Sequence, residues 1–382
     1  MSETGGVTAD AAVGVAAERV LARTRRYVEH ETPSRAVTQL VSLSRLIEEE
    51  LRELGATVEA YDAPGLGRNL LAQFPGREET APLLLLAHID TVHPLGTLAE
   101  RPFRVDHGRA YGPGIYDMKA GLATAIEALA WLREHGRLPR RPVRLLVTCD
   151  EEIGSHSSRA LIEEHAGEAA AVLVLEPCLP NGGAKTFRKG VSTYRVETFG
   201  RAAHAGIDGA AAVSATAELV HALSTILDLA RHDRGTTVCI GMIGGGTASN
   251  VVAAEAWAVV DVRLAQDGEE QRVHSAMLAL HARNPAARLA VRLTEQRPPL
   301  LRTDAVVALY RRARELADDL GVELTEGGTG GGSDGSIAAA VGAATLDGLG
   351  PRGGGAHAVD EHILADDLPF RLALLARLLE SL

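Results

Sequence analysis

The alternation of hydrophobic and polar residues along the chain predicts a series of helices and strands. Apolar residues recur at helical spacing over 16–31 and 37–55, which predicts two helices. Three short runs are apolar throughout, as expected for parallel strands covered on both faces: PLLLLAH (82–88), VRLLVTC (143–149) and AAVLVLE (170–176). The stretches between them, 119–136 and 157–167, predict crossover helices. The pattern therefore indicates an α/β domain whose mostly parallel sheet has helices on both faces.

The pattern changes after residue 190. VSTYRVETFG alternates like an antiparallel strand and precedes a predicted helix over about 210–231. Further elements follow in the order strand, strand, helix, strand: 236–243, 251–264, 269–283 and 287–295. The order β-α-β-β-α-β is typical of a ferredoxin-like fold. We therefore expect an inserted α+β domain over 190–297, and a main domain formed by 1–189 and 298–382.

Composition narrows the class of protein. The formal net charge of −11 argues against nucleic acid or an anionic membrane as the main partner. The N-terminal stretch has neither a signal-peptide pattern nor an apolar span of membrane length. Cys149, Cys178 and Cys239 lack C-x-x-C spacing and are interpreted as free thiols, so we expect a cytoplasmic protein.

Acidic and histidine side chains follow the three predicted strands. The polar residues at the strand ends are His88, Asp90, Asp150, Glu151, Glu152 and Glu176. In open α/β sheets, ligands bind beyond the carboxyl ends of the strands, so these groups should share one edge of the sheet. Asp117 and His357 lie in Gly-rich loops, which are frequent positions for functional residues.

The negative charge at this edge of the sheet favours bound cations. Five carboxylates would meet there: Asp90, Asp117, Glu151, Glu152 and Glu176. Without cations they would have to protonate or separate, whereas two divalent ions nearly balance their charge. A mixed set of histidine and carboxylate ligands suits Zn²⁺, with Co²⁺ or Mn²⁺ as possible substitutes. Each motif alone has a simpler interpretation, such as acids that complement a helix dipole, but the joint order favours a metal site.

Several motifs together resemble the M20 metallopeptidases, and most closely their glutamate carboxypeptidase branch. The matching segments are AHIDTV, GPGIYDMKAG, TCDEEIGS, LEP, RKG, GRAAHAG and GGGSDG. The resemblance implies a zinc-dependent hydrolase in which Asp117 bridges two zinc ions per subunit. It also implies that His88 and Glu176 complete one ion, that Glu152 and His357 complete the other, and that the Asp117–Met118 peptide bond is cis.

The resemblance also implies the catalytic and substrate-binding roles. Glu151 would be the general base, and Asp90 would orient His88. His204 would reach across a homodimer, formed by the inserted dimerisation (lid) domain, to stabilise an oxyanion in the partner's site. Asn250 and Arg263 would bind substrate, together with the glycine-rich loop that contains Gly332 and Ser333. Four further histidines are interpreted as surface residues: His93, His107, His156 and His362.

Three functions stay open on the sequence. The first is hydrolysis of the amide bond to a C-terminal amino acid with a free carboxylate, in a small peptide or an N-acyl amino acid. The second is deacylation of N-acyl amino acids, as by acetylornithine deacetylase or succinyl-diaminopimelate desuccinylase. The third is a metal-bound, non-catalytic binding protein, which the presence of Glu151 disfavours because binding needs no general base.

Overall fold

The computed structural model describes residues 4–208 and 211–382, with side chains described from residue 14 onward. The helices in this part of the chain are α1 (Thr4–Val28), α2 (Val37–Glu53), α3 (Thr97–Glu100), α4 (Ala120–Glu134), α5 (Arg159–Glu168), α6 (Ala215–Leu227), α7 (Glu269–Leu278), α8 (Asp304–Asp318), α9 (Asp334–Ala340) and α10 (Leu368–Ser381). The strands are β1 (Thr57–Ala63), β2 (Gly67–Phe74), β3 (Leu83–His88), β4 (Arg104–Asp106), β5 (Arg109–Tyr111), β6 (Val143–Thr148), β7 (Ala171–Val174), β8 (Ala184–Arg188), β9 (Gly190–Phe199), β10 (Thr237–Gly245), β11 (Glu255–Leu264), β12 (Arg288–Arg297), β13 (Glu326–Thr329), β14 (Thr345–Leu346), β15 (Gly353–Gly354) and β16 (His362–Leu364). Among the helices described, we find none with the combined length and apolar character that crossing a bilayer requires.

The described residues form two compact units. The first contains residues 4–187, Arg302–Thr329 and Ser333–Leu382, and the second contains Arg188–Leu301 and Gly330–Gly332 without the undescribed 209–210.

The main sheet of the first unit has the strand order β1-β2-β6-β3-β7-β14. Strands β6, β3, β7 and β14 run parallel to one another, while β2 pairs antiparallel with β6 and β1 pairs antiparallel with β2. The sheet is therefore mostly parallel, as the apolar runs predicted. Two small sheets, β13-β8 and β15-β16-β5-β4, accompany it.

The apolar strands are covered on both faces, because side chains alternate across a strand. Every residue of β3 is buried. Leu85 belongs to the core that also contains buried residues of α1, α2, α4, α8 and α10. Leu84 and Leu86 face the opposite core, where they join Ile162 of α5 and Ile337 of α9. This confirms the prediction of helices on both faces of the sheet.

The second unit is an antiparallel sheet with helices α6 and α7. The strand order is β10-β11-β9-β12, which is the order of a ferredoxin-like fold. Alternate residues of β11 are buried, in agreement with the period of two in its sequence. Val260 and Val262 of β11 share a core with Leu219 of α6 and with Val273 and Met277 of α7.

The hairpin of β1 and β2 has no counterpart among the predicted strands. Most residues of β1 are exposed or half-buried, and β2 contains three polar residues, Arg68, Asn69 and Gln73, so neither shows a clear apolar pattern. The bounds of α6 also differ, since it covers Ala215–Leu227 and residue 210 of the predicted range lies outside the described residues. Strand β11 begins at Glu255 rather than at 251, where Val251 instead forms an isolated bridge with His204.

Candidate metal centre

The ends of three parallel strands bring acids and one histidine to the same edge of the main sheet. His88 is the last residue of β3, and Glu176 follows two residues after the end of β7. Glu151 and Glu152 begin a short 3-10 turn, Glu151–Ile153, just after β6. These strands are adjacent and parallel, so their carboxyl ends coincide.

Asp117 lies between two histidines that come from distant parts of the chain. Its Oδ1 is 3.1 Å from Nε2 of His88, and its Oδ2 is 3.4 Å from Nε2 of His357. Asp117 precedes α4, and its peptide bond to Met118 is cis, as the family resemblance implied. His357 has a φ of 64°, in the left-handed region, within the loop before β16.

The remaining acids lie beside the two histidines, and two groups of possible ligands overlap at His88. His88 Nε2 is 3.6 Å from Glu176 Oε1, and His357 Nε2 is 3.3 Å from Glu152 Oε2. Ligand-type atoms of His88, Glu151 and Glu176 all lie within 4.8 Å of one another, as do those of His88, Asp117 and Glu152. The structure therefore brings together the five residues that sequence analysis proposed as ligands, with Glu151 beside them.

Asp90 is fully buried and fixes the backbone of the two neighbouring glutamates. Its carboxylate accepts hydrogen bonds from the amides of Glu151, at 3.0 Å, and Glu152, at 3.2 Å. A third bond, of 2.7 Å, comes from the Ser34 hydroxyl. His88 Nδ1 is 3.0 Å from the carbonyl oxygen of Asp90 and 3.5 Å from its carboxylate. Asp90 thus contacts His88 mainly through its backbone, and its carboxylate mainly holds the 151–152 turn.

The electrostatics of the group favour a positive charge at its centre. Hydrogen bonds to Asp117 and Glu152 raise the pKa of His357 to about 10. Burial alone would lower the pKa of His88, but hydrogen bonds to carboxylates, with Asp117 the largest contributor, raise it well above its ordinary value. Burial raises the pKa of Glu152. Without metal the carboxylates therefore favour the protonated form of both imidazoles, and metal ions coordinated by the imidazoles would displace those protons.

The donor set fits divalent metal ions. Two imidazoles and several carboxylates are ligands that Zn²⁺, Co²⁺ and Mn²⁺ accept. Glu152 Oε1 is buried and has no hydrogen-bond partner among the described residues, although an unpaired buried acceptor is costly. A metal ion beside Glu152 would satisfy this oxygen.

Two residues near this group were not identified from sequence. Glu361 is 3% exposed and accepts hydrogen bonds from the amides of Gly114, Tyr116 and Asp117. His93 donates to the same carboxylate through Nε2, at 2.6 Å. The interpretation of His93 as a surface residue is therefore wrong, because its side chain is buried against Glu361. No local sequence signal marks this pair, since its partners are backbone amides far away in the chain.

In the second unit, His204 and Asn250 are neighbours. His204 forms an isolated bridge with Val251, and the amide of Ala205 donates to the carbonyl oxygen of Asn250 at 3.0 Å. The side chain of His204 is exposed, and its Nδ1 accepts from the amide of Gly206 at 3.2 Å. In neutral His204 the proton therefore sits on Nε2, which is suited to donate a hydrogen bond.

Arg263 forms a two-pronged ion pair with Asp261 on the same strand. Its Nε and Nη2 donate to the two carboxylate oxygens at 2.8 and 2.9 Å. Nη1 donates to the carbonyl oxygen of Gly330 at 3.1 Å. The guanidinium remains about one-third exposed, with its side chain at 35%.

The glycine-rich loop is held by side chains and a helix cap. The carbonyl oxygen of Gly332 accepts a 3.0 Å hydrogen bond from Arg188 Nη1. Ser333 is fully buried, donates to Asp347 at 2.6 Å and caps α9 by accepting from the amide of Gly335. The Ser333 hydroxyl therefore serves the fold of this loop.

A mostly parallel sheet with carboxylates and a histidine at its strand ends, grouped closely enough to hold a metal ion, is an arrangement suited to metal-dependent hydrolases. The chain belongs to peptidase family M20/M25/M40, whose family model matches residues 84–381. It is therefore a hydrolase, and its family generally binds divalent metal ions.

Two relatives are similar over most of the chain. Carboxypeptidase G2 of Pseudomonas sp. (strain RS-16) is 33% identical, covering 95% of this chain and 89% of that protein. Succinyl-diaminopimelate desuccinylase of Alkalilimnicola ehrlichii is 31% identical, covering 87% of this chain and 92% of that protein.

Solved structures show the same fold. Aminopeptidase PepT of Bacillus cereus has a TM-score of 0.78 at 23% identity, covering 95% of this chain and 98% of that one. The M20 family metallo-carboxypeptidase Sso-CP2 of Sulfolobus solfataricus has a TM-score of 0.73 at 17% identity, covering 94% and 98%.

Proposed function

We propose that this chain is a two-metal hydrolase that cleaves the amide bond to a C-terminal amino acid with a free carboxylate. The observation that carries the proposal is the position of Asp117, each of whose carboxylate oxygens lies within 3.4 Å of a different histidine. Ions in two-metal sites lie about 3.5–4 Å apart and share a bridging ligand. A carboxylate between two histidines suits that role.

The other ligands divide into two sets around Asp117. His88 and Glu176 would hold one ion, while Glu152 and His357 would hold the second. The short contacts of each pair support this division. We propose Zn²⁺ as the metal, because it accepts both imidazole and carboxylate, with Co²⁺ or Mn²⁺ as substitutes.

Glu151 is the proposed general base. Bound ions would supply a water of lowered pKa and would polarise the amide carbonyl. The Glu151 carboxylate would accept the proton of the attacking water and then give it to the leaving nitrogen. Its buried position beside His88 and Glu176, and the bond from its amide to Asp90, support this role.

His204 would complete the site of a partner subunit in a homodimer. Its Nε2–H is suited to stabilise an oxyanion, which is the charge that develops during amide hydrolysis. Exposed apolar side chains in the second unit support association of two copies. They include Met242 and Ile243 on the edge strand β10 and Val220 on α6.

Substrate binding would use Asn250, Arg263 and the glycine-rich loop. Arg263 is suited to bind the C-terminal carboxylate of a peptide or an N-acyl amino acid through a charge-assisted contact. Its present partner Asp261 would then share the guanidinium with the substrate. Because the Ser333 hydroxyl is engaged, Gly332 and Ser333 would contact substrate through their backbone.

Amino-acid release from a panel of substrates tests the proposal. The purified protein is incubated with N-acyl-glutamates, other N-acyl amino acids and dipeptides, and free amino acid is quantified beside metal content. We expect release of the C-terminal residue with a preference among side chains. If metal-loaded protein released negligible free amino acid from every substrate, the proposal would be contradicted.

A second candidate is deacylation of an N-acyl amino acid such as N-acetylornithine or N-succinyl-diaminopimelate. The 31% identity to a succinyl-diaminopimelate desuccinylase over 87% of the chain favours it. The two candidates share the metal chemistry and differ in which part of the substrate is recognised. Faster release of acetate or succinate than of glutamate would select this alternative.

A further inference from the structure

The carboxylate of Glu361 accepts four hydrogen bonds in a buried position. Oε2 accepts from the Gly114 amide at 2.7 Å and contacts His93 Nε2 at 2.6 Å. Oε1 accepts from the amides of Tyr116, at 2.9 Å, and Asp117, at 3.0 Å. Each oxygen therefore has two partners, which is the full capacity of an ionised carboxylate.

These partners belong to two separate segments and Glu361 lies in a third, and each of the three segments contains a proposed ligand. Gly114 to Asp117 is the turn that presents the bridging carboxylate. His93 lies five residues after His88, the last residue of β3. Glu361 itself lies four residues after His357. One side chain thus connects the segments of His88, Asp117 and His357.

The backbone around Glu361 and its partners is tightly constrained. Gly114 has a φ of 69°, and a Cβ there would come within 2.3 Å of Thr91 Cγ2. Immediately after Glu361, β16 pairs with β5, with His362 opposite Tyr111. The loops of Asp117 and His357 therefore leave from neighbouring strands, and Glu361 joins them where they diverge.

We propose that Glu361 is a positioning residue that sets the separation of Asp117 and His357, and so the affinity and geometry of the metal site. The proposal rests on the two-metal function above. Three backbone amides, two of them buried, converge on this carboxylate, and without it they would lose their acceptor and the turn would rearrange. Because each Asp117 oxygen faces a different histidine, a small rotation of this turn would alter both ligand sets.

Metal titration of Glu361→Gln tests the proposal. The amide of glutamine keeps the size of the side chain, but its NH₂ replaces one of the two accepting oxygens. Metal-free full-length protein is titrated with Zn²⁺ against a chromophoric chelator, and the visible spectrum of the Co²⁺-loaded protein is recorded. We expect Zn²⁺ affinity about 10–100-fold weaker, the usual effect of losing a residue that orients metal ligands. The Co²⁺ spectrum should change in intensity.

Glu218→Gln is the matched control. Glu218 is also a buried glutamate that accepts from two backbone amides, those of Arg283 at 2.6 Å and Asn284 at 3.1 Å, but it lies in the second unit. This variant should lose stability and keep the wild-type Zn²⁺ affinity and Co²⁺ spectrum. Equal weakening in both variants would overturn the proposal by showing a general effect on folding.

The titration tests the role of Glu361 whether or not the Glu361→Gln protein folds. A folded Glu361→Gln protein with wild-type affinity and spectrum would overturn the proposal. If that variant does not fold, Glu361→Asp, which keeps the charge but shortens the reach, is titrated instead, and wild-type affinity there would have the same meaning. Failure of the wild type to hydrolyse any substrate while binding two ions would reject the proposed function and leave this titration interpretable.

Discussion

Glu151 and Glu152 are adjacent in the chain but face different neighbours. Glu151 lies with His88 and Glu176, whereas Glu152 contacts His357 and has one buried oxygen without a hydrogen-bond partner among the described residues. The turn Glu151–Ile153 directs the two carboxylates apart, and Asp90 holds both amides. At the scale of single residues, this turn separates a group that can move a proton from one that can bind a metal ion.

Glu151→Gln should mainly lower turnover, whereas Glu152→Gln should mainly lower metal content. Glu151→Gln removes the proposed base but no ligand, so we expect full metal content and a kcat at least about 10²-fold lower. Glu152→Gln, the matched variant, should lower metal content. Metal analysis and initial rates on both proteins check this. Unchanged turnover in Glu151→Gln would remove Glu151 from the mechanism.

Metal binding should depend on pH because protons and metal ions compete for the same groups. Carboxylates raise the pKa of His357 to about 10, so in metal-free protein this imidazole is protonated at neutral pH. A ligand imidazole must be neutral, so affinity should rise with pH and level off once the pH exceeds this pKa. The expected slope is about tenfold per pH unit for each proton displaced.

Calorimetry in buffers with different ionisation enthalpies measures these protons directly. We expect Zn²⁺ binding near pH 8 to release protons from the protein. Binding with no proton release, and an affinity that does not change between about pH 7 and pH 9, would contradict the electrostatic account.

The strand-end residues of the site could be predicted from sequence, whereas the residues that hold the site in place, Glu361 and His93, could not. His88, Glu151 and Glu176 follow apolar runs whose parallel arrangement sends their ends to one edge. Glu361 gives no such signal, because its partners are amides near residue 115 that approach it only in the folded chain. His93 was misinterpreted for the same reason, since a lone histidine in a loop resembles a surface residue until its buried partner is known.

At the scale of elements, α1 is attached to the core by a buried ionic network. Arg23 lies between two carboxylates, donating to Glu50 at 2.9 Å and to Glu127 of α4 by a shorter contact. Tyr27 donates to Glu50 at 2.5 Å. Glu127 and Glu50 are both buried, so the network stabilises α1 only while their charges stay paired.

Arg23→Met should therefore destabilise the protein. The change keeps much of the volume but leaves two buried carboxylates with less positive charge, at an expected cost of about 2–3 kcal/mol in the free energy of unfolding. Arg25→Met is the control, because the exposed Arg25 of α1 pairs with Glu29, just beyond the end of the helix, and its loss should cost at most about 1 kcal/mol. Equal shifts in the urea midpoints of the two variants would contradict a role for the buried network.

The elements differ in how far sequence determines them. Strand β3 is apolar at nearly every position because both faces are covered, and it is predicted within one residue. Strand β1 lies at the edge of the same sheet and exposes most of its residues, so burial imposes little pattern on it. Pairing with β2, rather than burial of its own side chains, defines β1.

At the scale of the whole molecule, two units carry different parts of the proposed chemistry. The first contains the candidate metal ligands and Glu151, while the second contains His204, Asn250 and Arg263. The fold class followed from the order of elements along the chain. The homodimer stays a prediction, because it depends on a second copy.

Mixed dimers test whether His204 acts in a partner's site. His204→Ala and Glu151→Gln proteins, each nearly inactive, are mixed under conditions that exchange subunits. A heterodimer would contain one site with an intact Glu151 and an intact partner histidine, so we expect up to about half of wild-type turnover per such dimer. No recovery in a verified heterodimer would show that each chain works alone.

The central claim is that bound divalent metal ions stabilise this cluster of carboxylates and make amide hydrolysis possible. Elemental analysis of active, unchelated protein, followed by chelation and add-back, tests it most directly. We predict two transition-metal ions per chain, loss of turnover on chelation and recovery on adding Zn²⁺ or Co²⁺. Active protein that contains no transition metal, with turnover that survives chelation, would contradict the account.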